Sequence, residues 1–150
     1  MKTYRIVAAL WLSIIGLGAA NFIWPALAAS PLGTWLTGDK KGQVRIVDCG
    51  GAICGTLIWL QEPNDPDTGK PKLDKHNADA SKQSRPLLGI PVVLDMKPGG
   101  AEQWSGDVYN AEDGRTYSGS FTMTDANTAQ LKGCVLGGLI CKAQTWMRVK

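Results

Sequence analysis

QVRIVDCGGAICGTLIWL, residues 43–60, contains a Gly-Gly turn between two cysteines, Cys49 and Cys54, with apolar and polar residues alternating on both sides. Such alternation around a glycine turn is typical of two antiparallel strands joined as a hairpin. A second segment, CVLGGLIC, repeats the arrangement between Cys134 and Cys141. The two segments predict a protein built from β-hairpins, each closed by its own pair of cysteines.

The cysteines are assigned a structural role. All of them follow an apolar N-terminal leader, so we expect them to meet an oxidising compartment in which disulfides persist. Four cysteines allow three connectivities, and we favour Cys49–Cys54 and Cys134–Cys141 because each pair flanks a turn. The alternative is a zinc site of four thiolates, but each pair is spaced more widely than ligand pairs in zinc sites.

The N-terminus has the features of a secretory signal peptide. Basic residues precede an apolar run, and Ala26-Leu27-Ala28 supplies the small residues that a signal peptidase recognises. We predict a signal peptide over residues 1–28 and a mature domain over residues 29–150, periplasmic or secreted, without a stable membrane span after cleavage. An uncleaved N-terminal anchor is the alternative, since the apolar run is rather long.

The charge balance argues against binding to nucleic acid. The chain has 16 basic and 13 acidic residues, and the leader holds two of the basic residues and none of the acidic ones. The mature part is therefore nearly neutral, with 14 basic residues against 13 acidic ones. A domain without a basic excess offers no electrostatic attraction for a phosphate backbone, so no nucleic-acid partner is expected.

Strand-like alternation continues through the mature chain, which is long enough for one domain. The clearest strand is residues 115–124, where Tyr117, Phe121 and Met123 would share one face and hydroxyl residues the other. About eight such segments, joined mainly by short turns, predict an all-β fold. We predict an eight-stranded antiparallel barrel stapled by the two disulfides, because closure leaves no exposed edge. A β-sandwich is the main alternative.

The proposed disulfides imply a register for each cysteine hairpin. If the first two cysteines lie opposite each other, Val44 faces Trp59 and both lie on the apolar face. If the last two cysteines lie opposite each other, Trp146 points into the barrel and Met147 points out. Hydrophobicity alone would prefer the reverse for this last hairpin, and a bulge could produce either register, so both stay open.

Gly33-Thr34-Trp35 lies on the first predicted strand, and Arg148 lies on the last. This combination resembles lipocalins and the wider calycin group, in which an early Gly-x-Trp packs against a late arginine at one end of the barrel. The physical basis is a planar guanidinium over an indole ring. The resemblance implies a structural role for Arg148 and a lipocalin-like barrel.

A set of motifs extends over nearly the whole mature length: Gly33–Trp35, Val44–Ile46, Cys49-Gly50, Cys54-Gly55, Leu73–Asn77, Arg85–Gly89, Trp104–Gly106, Tyr109-Asn110, Asp113–Tyr117, Gly133-Cys134, Cys141 and Thr145–Val149. In these motifs the mature chain resembles DUF2147, a family of uncharacterised exported bacterial proteins. The resemblance implies export and a lipocalin-like barrel, and it carries over no enzyme activity.

The predicted interior is rich in aromatic side chains. A barrel of eight strands is either filled by side chains or holds one small ligand. Gly55, Gly106 and Gly119 would leave room on inner faces, but glycines also relieve barrel curvature, so both possibilities stay open. Our first hypothesis is a carrier of a small apolar or amphipathic ligand, held by apolar burial. The predicted ligand-binding residues are Trp35, Trp59, Arg85, Trp104, Tyr117, Phe121 and Trp146.

A long polar segment, residues 61–84, interrupts the strands. Long loops in compact domains are often functional. The alternative hypothesis is therefore a protein-binding module that acts through this loop on an envelope partner or enzyme, whose identity the sequence leaves unknown. Arg85 at the end of the loop has two interpretations. It binds an anionic head group at the barrel mouth, or it tethers the loop through Asp74 or a backbone carbonyl.

No catalytic residue, cofactor or metal site is predicted. His76 is the single histidine and lies in the polar loop, and the cysteines are assigned to disulfides, so no nucleophile–base pair is evident. The loop aspartates lack the ligand spacing of an EF-hand. No phosphate loop, Gly-x-Ser-x-Gly or His-Glu-x-x-His motif occurs. We expect a protein that is not an enzyme, and a hydrolase using His76 is the least favoured hypothesis.

Overall fold

Eight antiparallel strands form a closed barrel in which neighbours along the chain are also neighbours in the sheet. The computed structural model describes residues 29–150, so the predicted leader over residues 1–28 lies outside the described part. The last strand returns to pair with the first, which confirms the predicted barrel over the sandwich. The strands are β1 Gly33–Leu36, β2 Gly42–Asp48, β3 Ile53–Leu60, β4 Pro91–Gly100, β5 Gln103–Asn110, β6 Arg115–Asp125, β7 Thr128–Val135 and β8 Ile140–Arg148.

Alternating residues of the strands fill the interior. On β6, Phe121 and Met123 are buried and Tyr117 is half-buried, as the alternation predicts. Small residues on these inner faces make room for neighbouring side chains. A β-carbon on Gly55 would lie 2.9 Å from atoms of both Val44 and Val93. The space beside Gly55 is therefore occupied by valines, which favours a filled barrel at this level.

Both predicted disulfides are present. Cys49 is bonded to Cys54 beside the β2–β3 turn, and Cys134 is bonded to Cys141 beside the β7–β8 turn. No cysteine among the described residues is left unpaired. Each bridge restricts the unfolded chain and so stabilises a small domain.

The register predicted for the first cysteine hairpin is wrong. Val44 lies opposite Leu57 rather than Trp59, and a register shift beside Val44 leaves Trp59 opposite Gln43. Because opposing residues share a face and the shift adds one residue to β3, Trp59 turns to the outer face. Its side chain is 40% exposed, whereas Val44 and Leu57 are buried.

The turn explains the different register. β2 ends at Asp48, which lies opposite Ile53, the first residue of β3. Cys49 therefore belongs to the loop between the strands, and its disulfide connects the loop to Cys54 instead of joining two opposing strand residues. Asp48 supports this loop by accepting hydrogen bonds from the backbone of two loop glycines.

The register of the last hairpin, which the sequence left open, follows its cysteines. Cys134 lies opposite Cys141. Trp146 is consequently inside the barrel and buried, and Met147 is outside with 54% of its surface exposed.

The two ends of the barrel carry different connections. One end, which we call the capped end, holds the first residues of β1, the last residues of β8 and the β2–β3, β4–β5 and β6–β7 turns. The other, which we call the open end, holds the β1–β2 and β5–β6 turns, the β7–β8 turn and the long loop, residues 61–90. The long loop contains a short 3-10 helix, Ala80–Lys82.

Candidate functional site

Arg148 covers the capped end of the barrel. Its guanidinium lies over the Trp35 ring, 4.3 Å from the ring centroid, which confirms the predicted contact. The same group donates hydrogen bonds to the backbone oxygens of Ser30, Leu32 and Ala126. Arg148 therefore ties the chain before β1 and the β6–β7 turn to the last strand.

Three of the predicted ligand-binding aromatics pack against one another above this contact. Trp35 and Phe121 meet edge to face with ring centroids 5.4 Å apart, and Phe121 meets Trp146 in the same way at 6.0 Å. All three side chains are almost completely buried. Edge-to-face pairs of this kind stabilise a core beyond the area that they bury. These three rings therefore pack the interior of the barrel at the capped end.

A groove of about 520 Å³ lies at the open end, where the long loop meets β4, β5 and the start of β6. Its volume is in the range of small-molecule sites. The apolar and aromatic part of its wall is formed by Pro91, Leu94, Tyr109, Tyr117 and Val135.

The rest of the groove wall carries three basic side chains and one acidic side chain, Asp79. Lys82 lies in the groove and pairs with Asp79, with 3.1 Å between its Nζ and the carboxylate. Arg115 also lines the groove, is exposed and forms no ion pair with another described residue. An apolar wall beside cationic groups suits a molecule with an apolar body and an anionic head.

A buried carboxylate anchors the long loop to the barrel wall. Asp74 is fully buried and accepts hydrogen bonds from the Tyr109 hydroxyl at 2.6 Å and the Asn77 amide at 2.8 Å. Arg85 adds a bond from Nε at 3.0 Å and an ion pair at 2.9 Å. Of the two interpretations of Arg85, the tether is therefore observed. The Arg85 side chain is 32% exposed and also lines the groove.

The protonation states in this anchor are fixed near neutral pH. Burial alone would raise the pKa of Asp74, but hydrogen bonds from Tyr109, Asn77 and Arg85 lower it below its ordinary value. Burial, followed by the hydrogen bond to Asp74, raises the pKa of Tyr109 to about 12. The aspartate is consequently ionised and the phenol protonated, so this pair has no group that titrates near neutrality.

The β5–β6 turn supports the same region. Gly114 has a φ of +70°, and a β-carbon there would lie 1.6 Å from the backbone oxygen of His76. Only glycine permits this approach of the long loop to the turn. The Tyr117 hydroxyl donates to Asp113, and that hydrogen bond raises the pKa of Tyr117. The side chain of His76 is exposed and lies outside the anchor.

The structure separates the seven predicted ligand-binding residues. Arg85 and Tyr117 line the open-end groove. Trp104 is half-buried opposite Phe121 and packs against the core. Trp59 lies on the outer face, away from the interior in which it was predicted to bind.

Sequence reasoning missed Tyr109, Leu94 and Arg115 as groove residues. The alternation of β5 places Tyr109 on the face opposite Val108. This pattern predicts an outer, solvent-exposed position for Tyr109. The long loop covers that outer face, so Tyr109 is buried. The available signal was the pair of motifs Leu73–Asn77 and Tyr109-Asn110, which the anchor brings together.

Two further findings bear on the type of site. Within residues 29–150, no three histidine, cysteine or acidic side chains come together as a metal ion would require. None of the helices in the described part is long and apolar enough to span a membrane.

An eight-stranded antiparallel barrel, with an arginine over the first-strand tryptophan at its capped end, is a lipocalin-like barrel. The chain belongs to the DUF2147 family, described as uncharacterized proteins conserved in bacteria, which matches residues 33–148. Among solved structures, it is similar to protein HP1028 from Helicobacter pylori, described as belonging to the lipocalin family. That similarity has a TM-score of 0.68 and 23% sequence identity, and it covers 81% of this chain and 84% of HP1028. A comparison with curated proteins gives no significant match.

Proposed function

We propose that this protein is an exported lipocalin-like binding protein that takes a small amphipathic ligand in the groove at the open end of the barrel. The observation that carries the proposal is the composition of the groove, an apolar and aromatic wall beside Lys82, Arg85 and Arg115. The ligand class is a molecule with an apolar chain or ring and an anionic head group.

Each part of the groove has a role in this proposal. Pro91, Leu94 and Val135 would cover the apolar part of the ligand and remove it from water. Arg115 is the best placed head-group contact, because Arg85 is partly neutralised by Asp74. A charged donor such as Arg115 forms a stronger hydrogen bond with the ligand's anionic group than a neutral donor would.

The open end is preferred to the barrel interior for two reasons. The capped half of the interior is occupied by the edge-to-face rings of Trp35, Phe121 and Trp146. The valines beside Gly55 occupy the space that glycine leaves in that part of the wall. The groove, in contrast, already has a volume of about 520 Å³.

Binding is proposed rather than turnover, and export rather than retention in the cytoplasm. The buried Asp74–Tyr109 pair holds an ionised acid and a protonated phenol, which suits a fixed anchor and not a general acid or base at neutral pH. Two disulfides, with no unpaired cysteine in the described part, suit an oxidising compartment. No observation favours the alternative of a protein-binding module acting through residues 61–84.

The first test is native mass spectrometry of the protein purified from a periplasm, before and after organic extraction. We expect a reproducible additional mass that extraction removes. The extracted protein should then bind a dansyl-labelled fatty acid. Absence of a co-purifying mass together with absence of fatty-acid binding would contradict the proposal.

A charge variant locates the head group. We expect Arg115→Gln to weaken binding of the fatty acid by about tenfold, and to leave binding of the matching fatty alcohol nearly unchanged. Arg45→Gln is the matched control, because Arg45 is an exposed residue of β2 that does not line the groove. Equal affinities of the two variants for the fatty acid would place its head group elsewhere.

A further inference from the structure

The β7–β8 turn exposes a continuous apolar surface, which we call the hairpin tip, residues 135–140. Leu136 and Leu139 are 69% and 84% exposed, and Val135 and Ile140 are 36% and 60% exposed. None of the four belongs to the hydrophobic core formed by the described residues. Single exposed apolar residues are common on proteins, but a contiguous group of them marks an interaction surface.

The tip is held outward by its base. The Cys134–Cys141 disulfide joins the two strands directly below it. Gly137 and Gly138 have φ values of +64° and +95°, which turn the chain within the tip. Leu136 and Leu139 therefore lie beyond Val135 and Ile140, the last paired residues of the two strands, instead of folding back into the barrel.

The charges carried by the β7–β8 hairpin itself are all of one sign. Residues 126–150 contain no aspartate or glutamate. Lys132 and Lys142 lie on the two strands just below the disulfide, are exposed, and form no ion pair within the described part of the chain. The hairpin therefore has an apolar tip, and the two strands just below that tip carry the positively charged Lys132 and Lys142.

We propose that the hairpin tip inserts into the surface of a lipid bilayer that contains anionic lipids. Leu136 and Leu139 would enter the boundary between head groups and acyl chains, and Lys132 and Lys142 would lie at the level of the phosphates. Basic residues near an anionic surface add to the apolar contribution and make binding depend on lipid charge and salt.

The chemistry of the tip favours lipid over a protein partner. Energetic centres of protein interfaces are enriched in tryptophan, tyrosine and arginine, and leucine is under-represented among them. The tip has only aliphatic side chains and glycine, so no side chain offers a directed hydrogen bond. Aliphatic area without directed contacts matches an acyl-chain environment.

The tip is continuous with the groove of the proposed function. Val135 belongs to the tip and also lines the groove. A protein bound through the tip would therefore hold one wall of the groove next to the membrane. Insertion of the tip requires no ligand in the groove, so vesicle binding and ligand binding can fail separately.

The test is co-sedimentation of the purified protein with vesicles of phosphatidylcholine, with and without about 30 mole per cent of phosphatidylglycerol. The variant carries Leu136→Ser and Leu139→Ser. The matched control carries Val47→Ser and Met147→Ser, because these two exposed apolar residues lie on strands toward the capped end. All forms are compared with the same N-terminus, and intact mass and near-ultraviolet circular dichroism confirm the disulfides and the fold.

We expect the wild type and the capped-end control to bind the anionic vesicles, and the tip variant to bind at least about tenfold more weakly. Binding to phosphatidylcholine alone should be weaker, and Lys132→Gln with Lys142→Gln should remove most of that difference. Absence of vesicle binding by the wild type, or equal binding by the tip variant and the control, would overturn the proposal. A protein captured through the tip in the absence of vesicle binding would also overturn it.

Discussion

At both ends of the barrel an arginine lies next to aromatic side chains, but the two arginines are used differently. Arg148 covers Trp35 at the capped end and donates its hydrogen bonds to backbone oxygens. Arg85 at the open end bonds a buried carboxylate, remains one-third exposed and lines a groove. The comparison shows that the capped end is closed by packing, whereas the open end keeps polar and apolar groups along the groove in which we propose that the ligand binds.

The largest expected effect distinguishes Trp35 from Trp59, both of which are predicted from the sequence to lie in the interior. Trp35→Ala should lower the free energy of unfolding by about 3–5 kcal/mol, because it leaves a cavity beside Phe121. Trp59→Ala should lower it by about 1 kcal/mol or less, because Trp59 lies on the outer face. Urea denaturation measures both changes, and equal losses would contradict the bulge that turns Trp59 outward.

The second prediction concerns the anchor of the open end. Asp74→Ala should cost about 3 kcal/mol, since it leaves Arg85, Tyr109 and Asn77 without their buried acceptor. The long loop should also lose protection against amide exchange while the capped end keeps it. Asp125→Ala serves as a control on an exposed turn aspartate at the capped end. Uniform loss of protection through the whole barrel would show that the two ends are not energetically distinct.

The two disulfides provide a third comparison, because one lies at each end and both close short loops. Removal of either bridge by alanine substitution should lower the free energy of unfolding by about 2 kcal/mol. The consequences for binding should differ: loss of Cys134–Cys141 should weaken vesicle binding, and loss of Cys49–Cys54 should not. Denaturation followed by co-sedimentation checks both statements. Equal effects on vesicle binding would remove the special role of the hairpin tip.

The smallest expected effect is the dependence of stability on pH. The pKa of Asp74 is lower in the folded protein than in the unfolded chain, so ionised Asp74 stabilises the fold above the unfolded pKa of about 4. That contribution is lost as the pH falls through the lowered, folded-state pKa. The wild type should therefore lose more stability than Asp74→Asn as the pH falls from above about 4 through the lowered, folded-state pKa of Asp74. Parallel pH profiles from thermal denaturation would contradict this role of Asp74.

Much of the fold could be predicted because its signals are local. Alternation on β6 identifies the inner face on which Phe121 and Met123 are buried. Cysteines that flank turns identify both disulfides. The contact of Trp35 with Arg148 was expected from a resemblance that needs only one residue near each end of the domain.

The site depends on contacts that local patterns do not contain. Tyr109 has the position of a solvated outer residue until the long loop covers it, and its partner Asp74 lies 35 residues earlier in the chain. Trp59 follows a register shift between β2 and β3, and the hydrophobic pattern of β3 gives no sign of that shift. The side chains of Val44 and Val93, on the two neighbouring strands, fill the space beside Gly55. The sequence of β3 alone therefore does not predict whether that space is empty.

The most direct test of the central claim is an NMR titration of the isotope-labelled protein with a spin-labelled fatty acid. Each spectrum would be compared with one recorded after chemical reduction of the spin label. We expect the amides of Leu94, Arg115 and Val135 at the open-end groove to broaden, and those of Trp35 and Phe121 to remain sharp. Broadening centred on the Trp35–Phe121 pair would place the ligand inside the barrel and contradict the division between a packed capped end and a binding open end.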